Sequence, residues 1–462
     1  MVCGSMRVVL VDRLKAILNA NTHTEEIFKG SAITFFLKMS GMLLSYIAIL
    51  IISRQYGAEG VGLYSLTFGL MTFVAMISVM GINVSILRYV GEFKKNGKDY
   101  KLKLLYRYAL ELVVPFSLLL SSLLYAFSGF IAESVFHNAS YKAALEFSAF
   151  VVPFIALQNI GVEFIRGLKL MKVSEFLRSV NHLFISVTLL SIVGLYLTNQ
   201  LLPIYTLGIG VFVSAVFSVY FILKKIQTIK AINHNDFSKK ELVETSMPMM
   251  VTVVASFVLG SIPLFMLEVF STTKDVGVFS VAFKIATMVS LVLVVVNTIS
   301  APKFSELYWN KEYKTLQLVI DSSTRLIFIV SLIVSILIIL FTDQILMLFG
   351  NDFISGSHVL ILLVVAQMIN SATGSVSILL NMIGSQKALK NIAIIVTTLT
   401  IVVSYILVSN YGSIGAAYTF IISMALLNIS GAIYAHMKLG YITYYNPLNF
   451  KASKQLEGEG FE

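Results

Sequence analysis

Apolar residues in this chain come in runs of about twenty, separated by short polar stretches. The runs predict helices over 31–53, 63–87, 104–129, 142–165, 178–198, 201–223, 246–268, 277–300, 322–342, 357–382, 390–409 and 413–436. About 20 apolar residues in a helix cover the hydrocarbon thickness of a bilayer. The strands of a membrane barrel alternate apolar and polar positions, and a run such as Ser331 to Leu340 does not. An open strand in lipid would leave its backbone groups unsatisfied, at several kcal/mol each. The expected fold is therefore all-α: a polytopic membrane bundle of twelve transmembrane helices.

Composition supports that reading. The 462 residues are 57% hydrophobic and only 13% charged, against roughly 25% charged in soluble domains. The mean hydropathy is +0.86. A net charge of +10 could suggest nucleic acid, but the charges sit in short loops between apolar runs, so no nucleic-acid partner is expected. Of the 34 Lys and Arg, 29 fall in alternate segments: the N-terminal stretch, 88–107, 166–178, 224–240, 303–325, 387–390 and the tail. The loops on the other side hold three, Arg54, Lys142 and Lys274, and Lys38 and Lys284 lie inside spans. Positive charge favours the cytoplasmic side, which predicts a plasma-membrane protein with both termini in the cytoplasm. A lone Cys3 rules out a disulfide within the chain and any cysteine metal site. No cleavable signal peptide is expected, because the apolar run Val8–Val11 is too short. Residues 6–20 read as an amphipathic helix in the membrane interface.

An internal repeat appears at an offset of 215 residues. Gly62-Leu63-Tyr64-Ser65-Leu66 opens the second helix and Gly277-Val278-Phe279-Ser280-Val281 the eighth; at their far ends Arg88-Tyr89 matches Lys303-Phe304. Six is an even number, so the two copies share one orientation and are related by a pseudo-twofold along the membrane normal. Parallel repeats of this kind place a transport pathway between the halves, with access alternating by rocking. The expected organisation is an N-terminal segment 1–28, a six-helix half 29–223, a linker 224–245, a second half 246–436 and a tail 437–462.

Three stretches carry a family resemblance. Ser53-Arg54-Gln55-Tyr56-Gly57-Ala58-Glu59-Gly60-Val61-Gly62-Leu63-Tyr64 is followed by Arg88-Tyr89-Val90-Gly91-Glu92 at the far end of the second helix. Arg166-Gly167-Leu168 with Lys172 follows the fourth helix, and Leu380-Asn381-Met382-Ile383-Gly384-Ser385-Gln386-Lys387 leads to Tyr411-Gly412-Ser413-Ile414-Gly415. In their order and spacing these resemble the polysaccharide and oligosaccharide flippases, Wzx-like members of the multidrug/oligosaccharidyl-lipid/polysaccharide exporter superfamily. The likeness runs from about residue 27 to 436. One departure is that relatives often carry Asn near the middle of the eleventh helix, where this chain has Thr400 and Ser404. The resemblance implies flipping of a polyprenyl- or dolichyl-linked oligosaccharide, on a diphosphate, from the cytoplasmic to the outer leaflet for polysaccharide biosynthesis. It also implies a role alongside polysaccharide assembly proteins.

Charges inside spans cost about 2.5–3.5 kcal/mol each at the bilayer centre, so they are functional suspects. Several have a bland alternative. Arg88/Glu92, Arg107/Glu111, Glu163/Arg166, Asp321/Arg325 and Lys303/Glu306 are three or four apart, on one helix face, near helix ends. Glu111, Glu163, Arg88, Arg166 and Arg325 are thus ion pairs or, alternatively, coupling residues. Lys38, Lys284 and Arg54 have no carboxylate at neighbouring helical positions. The two lysines are about seven residues, ~10 Å, inside their spans. They are the candidate binders of an anionic headgroup, with Arg54 placed nearer the rim, where snorkelling also explains it.

Other readings compete with this one, and the drug/organic-cation antiporter and the peptidoglycan-precursor flippase stay as alternatives. The external loops are too small for a glycosyl polymerase or ligase site, and no phosphate loop or metal-ligand spacing is present. Neither enzyme activity nor a cofactor or metal is therefore expected. A drug or organic-cation antiporter of the same superfamily would want buried carboxylates, whereas the unpaired charges here are cations. A peptidoglycan lipid-precursor flippase would use the same cationic cavity, although such proteins commonly have fourteen spans.

Overall fold

The computed structural model describes residues 22–227 and 237–446. The interfacial helix expected over 6–20, the middle of the linker and the last part of the tail lie outside these residues. No strand occurs among the described residues, and ten helical stretches are long and apolar enough to cross a membrane. Two of the ten are double. Thr22–Ser78 breaks at Gly57 (φ 66°, ψ −166°), giving α1 (22–56) and α2 (58–78). Gln386–Leu439 breaks at Gly412 (φ 53°, ψ −130°), giving α11 (386–411) and α12 (413–439). A side chain is strained at such angles, so glycine lets the chain reverse between two helices without a loop. Between these pairs lie α3 (Tyr100–Phe130), α4 (Ser140–Gly167), α5 (Met171–Val193), α6 (Leu202–Gln227) and α7 (Lys239–Phe270). They are followed by α8 (Thr273–Trp309), α9 (Tyr313–Leu340) and α10 (Asn351–Met382). The protein is an all-α, multi-pass membrane bundle of two six-helix halves, as the hydropathy pattern predicts.

The halves meet through backbone. A Cβ on Gly62 would overlap the carbonyl of Thr273, and one on Gly277 would overlap the carbonyl of Ala58. Ala58 and Thr273, like Gly62 and Gly277, are 215 positions apart. The contact is therefore reciprocal, as a twofold axis between repeats demands. Small residues four apart let two membrane helices approach closely enough to pack on each other's backbone.

The same symmetry appears along the first helix of each half, which crosses to lie on the second helix of the other. α7 lies on α2, with Phe257 stacked on Phe73 at 5.7 Å between centroids. Towards the far end Ser85 and Ser246 share a hydrogen bond of 2.6 Å, and Tyr89 and Thr245 one of 2.8 Å. α1 lies on α8 through Tyr46, whose hydroxyl donates to the Lys284 carbonyl at 3.0 Å. The matched aromatics Tyr89 and Phe304 are both buried.

Helix interruptions depart from the sequence reading. The second helix, expected unbroken over 63–87, stops at Ser78 and restarts as Ile82–Lys95, with Met80 and Gly81 at positive φ. The eighth tightens to a 3₁₀ turn at Thr287–Ser290, where Ser290 donates to Gln367. The fifth, expected from residue 178, begins at Met171 and carries a π-helical segment over Phe176–Asn181. Pro115, Pro153, Pro248, Pro263 and Pro302 lie inside helices.

Gly62→Val and Gly277→Val should each lower stability by about 1–3 kcal/mol, because the atoms overlapped are backbone and cannot swing aside. The double variant should lose less than the sum, since both contacts belong to one crossing. Thermal unfolding in detergent measures this, and unchanged midpoints would refute the crossing.

Candidate functional site

Two connected cavities lie beneath the α2–α8 crossing. One, of about 330 Å³, is lined by α1, α2, α5, α7 and α8, among them Ser45, Tyr64, Phe68, His182, Ser261 and Lys284. The other, of about 500 Å³, is lined by Lys38, Tyr46, Arg178, His182, Lys284 and Gln367. Ser45, His182 and Lys284 border both. The structure thus brings Lys38 of α1 and Lys284 of α8, one from each half, to a single space. Among the described residues, no Asp or Glu lines either cavity.

Lys284 is held by neutral groups. Its Nζ donates to Ser45 Oγ and stands 5.1 Å from the centroid of the Tyr46 ring, within cation–π range. Tyr46 is fixed in turn by its bonds to the Lys284 carbonyl and to Thr287 Oγ1, the latter at 3.1 Å. Neither Lys38 nor Lys284 makes an ion pair among the described residues.

A third cation stands beside them. Arg178 lies in the π-helical segment of α5, a distortion that often marks functional positions because it turns extra side chains to one face. Its guanidinium donates to Glu163 Oε1 at 2.5 Å, and Arg166 approaches the other carboxylate oxygen at 3.7 Å. Glu163 lies behind Arg178 in a cavity of about 200 Å³ inside the N-terminal half, with Asn83, Gln158 and Asn159 among apolar neighbours such as Phe68 and Ile155. Arg178 borders this cavity and the larger central one, and His182 borders all three spaces. At the end of that segment Asn181 Nδ2, and just after it His182 Nδ1, are buried without a hydrogen-bond partner among the described residues.

The other expected residues lie elsewhere. Arg54 is not in the cavities: its Nε donates to the Leu348 carbonyl at 2.6 Å and its Nη2 to that of Met347 at 3.0 Å. It clamps the end of a short helix before α10, a role that suits a cation at a helix C-terminus. Glu111 pairs with Arg107 and with Lys239, each at 2.6 Å, well away from the cavities. Arg88 and Glu92, expected as a helix-face pair, are exposed and make no ion pair among the described residues. Lys303 and Glu306 do pair, at 3.2 Å. Arg166 and Arg325 are exposed, and Asp321 accepts from Gln317 at 2.7 Å.

Sequence reasoning missed Arg178, because starting α5 seven residues late moved it from the second turn of a helix to the membrane edge. Gln367 and His182 carried no charge signal. No group of three His, Cys, Asp or Glu able to hold a metal occurs among the described residues.

The family model for polysaccharide biosynthesis proteins matches residues 27–308, more than half of the chain. No curated protein is matched. Among solved structures, the chain is similar to an inward-facing multidrug resistance MATE family transporter of the MOP superfamily (17% identity, 89% of this chain and 98% of that one, TM-score 0.71). It is similar to the lipid II flippase MurJ in an inward closed conformation (15% identity, 90% and 88%, TM-score 0.69). It is also similar to a MOP superfamily transporter from Pyrococcus furiosus (18% identity, 89% and 96%, TM-score 0.63). At these identities the structures establish a shared fold.

Arg178→Met should cost about 2 kcal/mol, because it leaves the mostly buried Glu163 carboxylate without its main partner. Adding Glu163→Gln should restore most of that loss. A double-mutant cycle of unfolding midpoints in detergent checks it; purely additive effects would show that the pair is not coupled.

Proposed function

The chain belongs to the polysaccharide biosynthesis protein family, and from that premise we propose that it flips a lipid-linked oligosaccharide, bound by its diphosphate, across the plasma membrane by alternating access. The observation that carries this reading is the central cavity itself. Among the described residues it gathers Lys38, Lys284 and Arg178 with no carboxylate on its wall, and two of the three have no ion-pair partner. A diphosphate brings about two negative charges, and ammonium and guanidinium groups are its usual binders. A drug or organic cation would be repelled by the same wall. Hydroxyl and amide groups of Ser45, Tyr46, Thr287, Ser290 and Gln367 along it suit the polar end of a glycolipid.

The inside-positive distribution of Lys and Arg assigns the Gly57 and Gly412 turns to the outside and both termini to the cytoplasm. With the Gly62–Gly277 crossing at the outer end, the cavity is shut towards the outside and substrate enters from the cytoplasmic leaflet. Outward movement of the headgroup is electrically downhill, by about 2.3 kcal/mol per charge per 100 mV. The protein acts as a transporter, not as an enzyme.

Lys38→Ala and Lys284→Ala should insert at normal levels, since removing a membrane charge lowers the insertion cost, yet glycan export should fall at least tenfold. Glu at either site should be worse, and Arg should keep part of the activity. Normal export by both alanine variants would sink the proposal. Reporter fusions after residue 440 should read cytoplasmic and at residue 273 external; the opposite readings would invert the assigned direction.

A further inference from the structure

The C-terminal half carries a device that its matched positions in the N-terminal half do not repeat. α12 ends in a left-handed turn at Gly440, where the Gly440 and Tyr441 amides bond back to the His436 and Ala435 carbonyls at 3.1 Å each. The chain then crosses the end of its own half, and residues 441–445 lie there as a strap. Tyr441 is buried in an apolar cluster with Leu316, Ile320, Val376 and Leu380. The side-chain amide of Gln317 on α9 bonds Ile442 twice, accepting from its N–H at 3.1 Å and donating to its carbonyl at 2.8 Å. Thr324 donates to the Thr443 carbonyl at 3.0 Å, and the Tyr445 ring stacks on Phe328 at 4.3 Å between centroids.

Beneath the strap α10 is broken. Its helix stops at Ala372 and restarts at Val376, with Gly374 at φ 64° between them. Such a break frees backbone groups, which a membrane helix tolerates only where protein covers them. The Tyr445 N–H donates to the freed Ala372 carbonyl at 2.8 Å, and a Cβ on Gly374 would overlap the Thr443 carbonyl and the Thr324 hydroxyl. The strap therefore splints the break, anchored with Val376 on one side and on Ala372 on the other. At the positions 215 residues earlier, Leu102, Ala109 and Val113 stand where Gln317, Thr324 and Phe328 do. There α4 runs unbroken through Asn159, the match of Gly374. The fit of the strap is incomplete in one respect. The hydroxyls of Ser371, Ser375 and Thr443 are buried around the break without a hydrogen-bond partner among the described residues. Burying a hydroxyl in this way is costly, and water entering the break would satisfy all three.

We propose that residues 442–445 are a lock on a hinge in α10. Docked, they keep the break at Gly374 dry and hold the two parts of the helix rigid. Lifted, they admit water to the three hydroxyls and let Val376–Met382 turn about Gly374. Hinges of this kind lie at element ends, where a few residues absorb the backbone change. Gln367 and Asn370, about a turn before the break, hold Ser290 of the central cavity wall, Asn370 at 3.4 Å. The lock thus decides whether the far part of α10 moves with the part that shapes the cavity.

The test uses buried serines as reporters. In a Cys3→Ser background, Ser375→Cys puts a thiol beside Gly374 and Ser335→Cys puts one further along α9. Both serine hydroxyls are buried and make no hydrogen bond among the described residues, so the exchange loses little. The full chain in lipid nanodiscs is treated with a charged methanethiosulfonate. The thiol at 375 should react, Gln317→Leu with Thr324→Val should speed it by roughly tenfold, and the thiol at 335 should stay unreactive. Thr324→Ser and Tyr445→Phe, which keep the hydroxyl and the ring, should leave the rate unchanged. A thiol at 375 that never reacts, an unchanged rate in the double variant, or an equal rise at 335 would overturn the proposal. Hydrogen exchange of the unmodified protein is free of any folding defect in the variants. The amides of Ile442, Tyr445 and residues 376–379 must open as one unit, more readily than those of 360–370; separate opening refutes the lock. Neither readout involves the transported substrate, so failure here leaves intact the cavity reading, which rests on Lys38 and Lys284.

Discussion

Everything at the centre of this molecule depends on how closely α2 and α8 can approach. Their crossing at Ala58/Gly62 and Thr273/Gly277 brings helix backbone onto helix backbone, with no side chain between. Lipid tails are as apolar as leucine, so burial alone does not drive membrane helices together; close van der Waals packing must. The crossing draws the two halves together at one end and lets them diverge below it, where the cavities open. One additional methyl group at Gly62 or Gly277 would therefore change the shape of the cavity as well as the contact. The sharp turn at Gly57, without a loop, delivers α2 to this crossing immediately after α1, so that α1 lies on α8 and carries Lys38 and Tyr46 to the cavity.

Charge is distributed in two styles. At the helix ends cations are paired, as with Glu111 between Arg107 and Lys239, or clamp carbonyls, as Arg54 does. Such exposed pairs contribute little stability and serve mainly to fix topology. Inside the cleft the cations are left to neutral partners or to one deep carboxylate, Glu163. An uncompensated charge in a membrane is expensive, and a cleft that keeps two such lysines beside a third, paired cation fits the proposed anionic substrate.

The hydropathy pattern made twelve spans and the twofold repeat legible, because lipid imposes a length and a polarity that few sequences mimic. It also singled out Lys38 and Lys284, since an unpaired lysine ten ångströms inside a span stands out. What it could not show follows from how helix ends are read. Apolar runs mark where lipid begins, not where the helix does, so α5 seemed to start at Arg178 when it starts at Met171. Arg178 was thereby counted with the loops. The strap of residues 441–445 was lost for the opposite reason: it follows the last apolar run and looks solvated, yet α9 and α10 cover Tyr441 and Thr443. Arg54 was placed correctly near a rim, but its partners, two carbonyls nearly 300 residues away, leave no trace in local spacing. Burial by distant segments is a property of the folded chain alone.

The two ways of holding cations also imply an order of events for an anion entering the cleft. Lys284 gives up only a hydroxyl and the face of a ring, interactions worth of the order of 1 kcal/mol each, and it keeps the Tyr46 contact if it merely leans towards the newcomer. Lys38 has no ion pair to break among the described residues. Arg178 must exchange Glu163 for phosphate, and Glu163 would then rely on Arg166 at 3.7 Å. In the proposed flipping cycle the lysines would therefore be the first to engage, and Arg178 would follow only if the ligand is anionic enough to compete with a carboxylate. A monoanion satisfies the first step; a diphosphate satisfies both. In that proposed cycle, discrimination would lie in whether Arg178, on the π-helical segment of α5, lets go of Glu163.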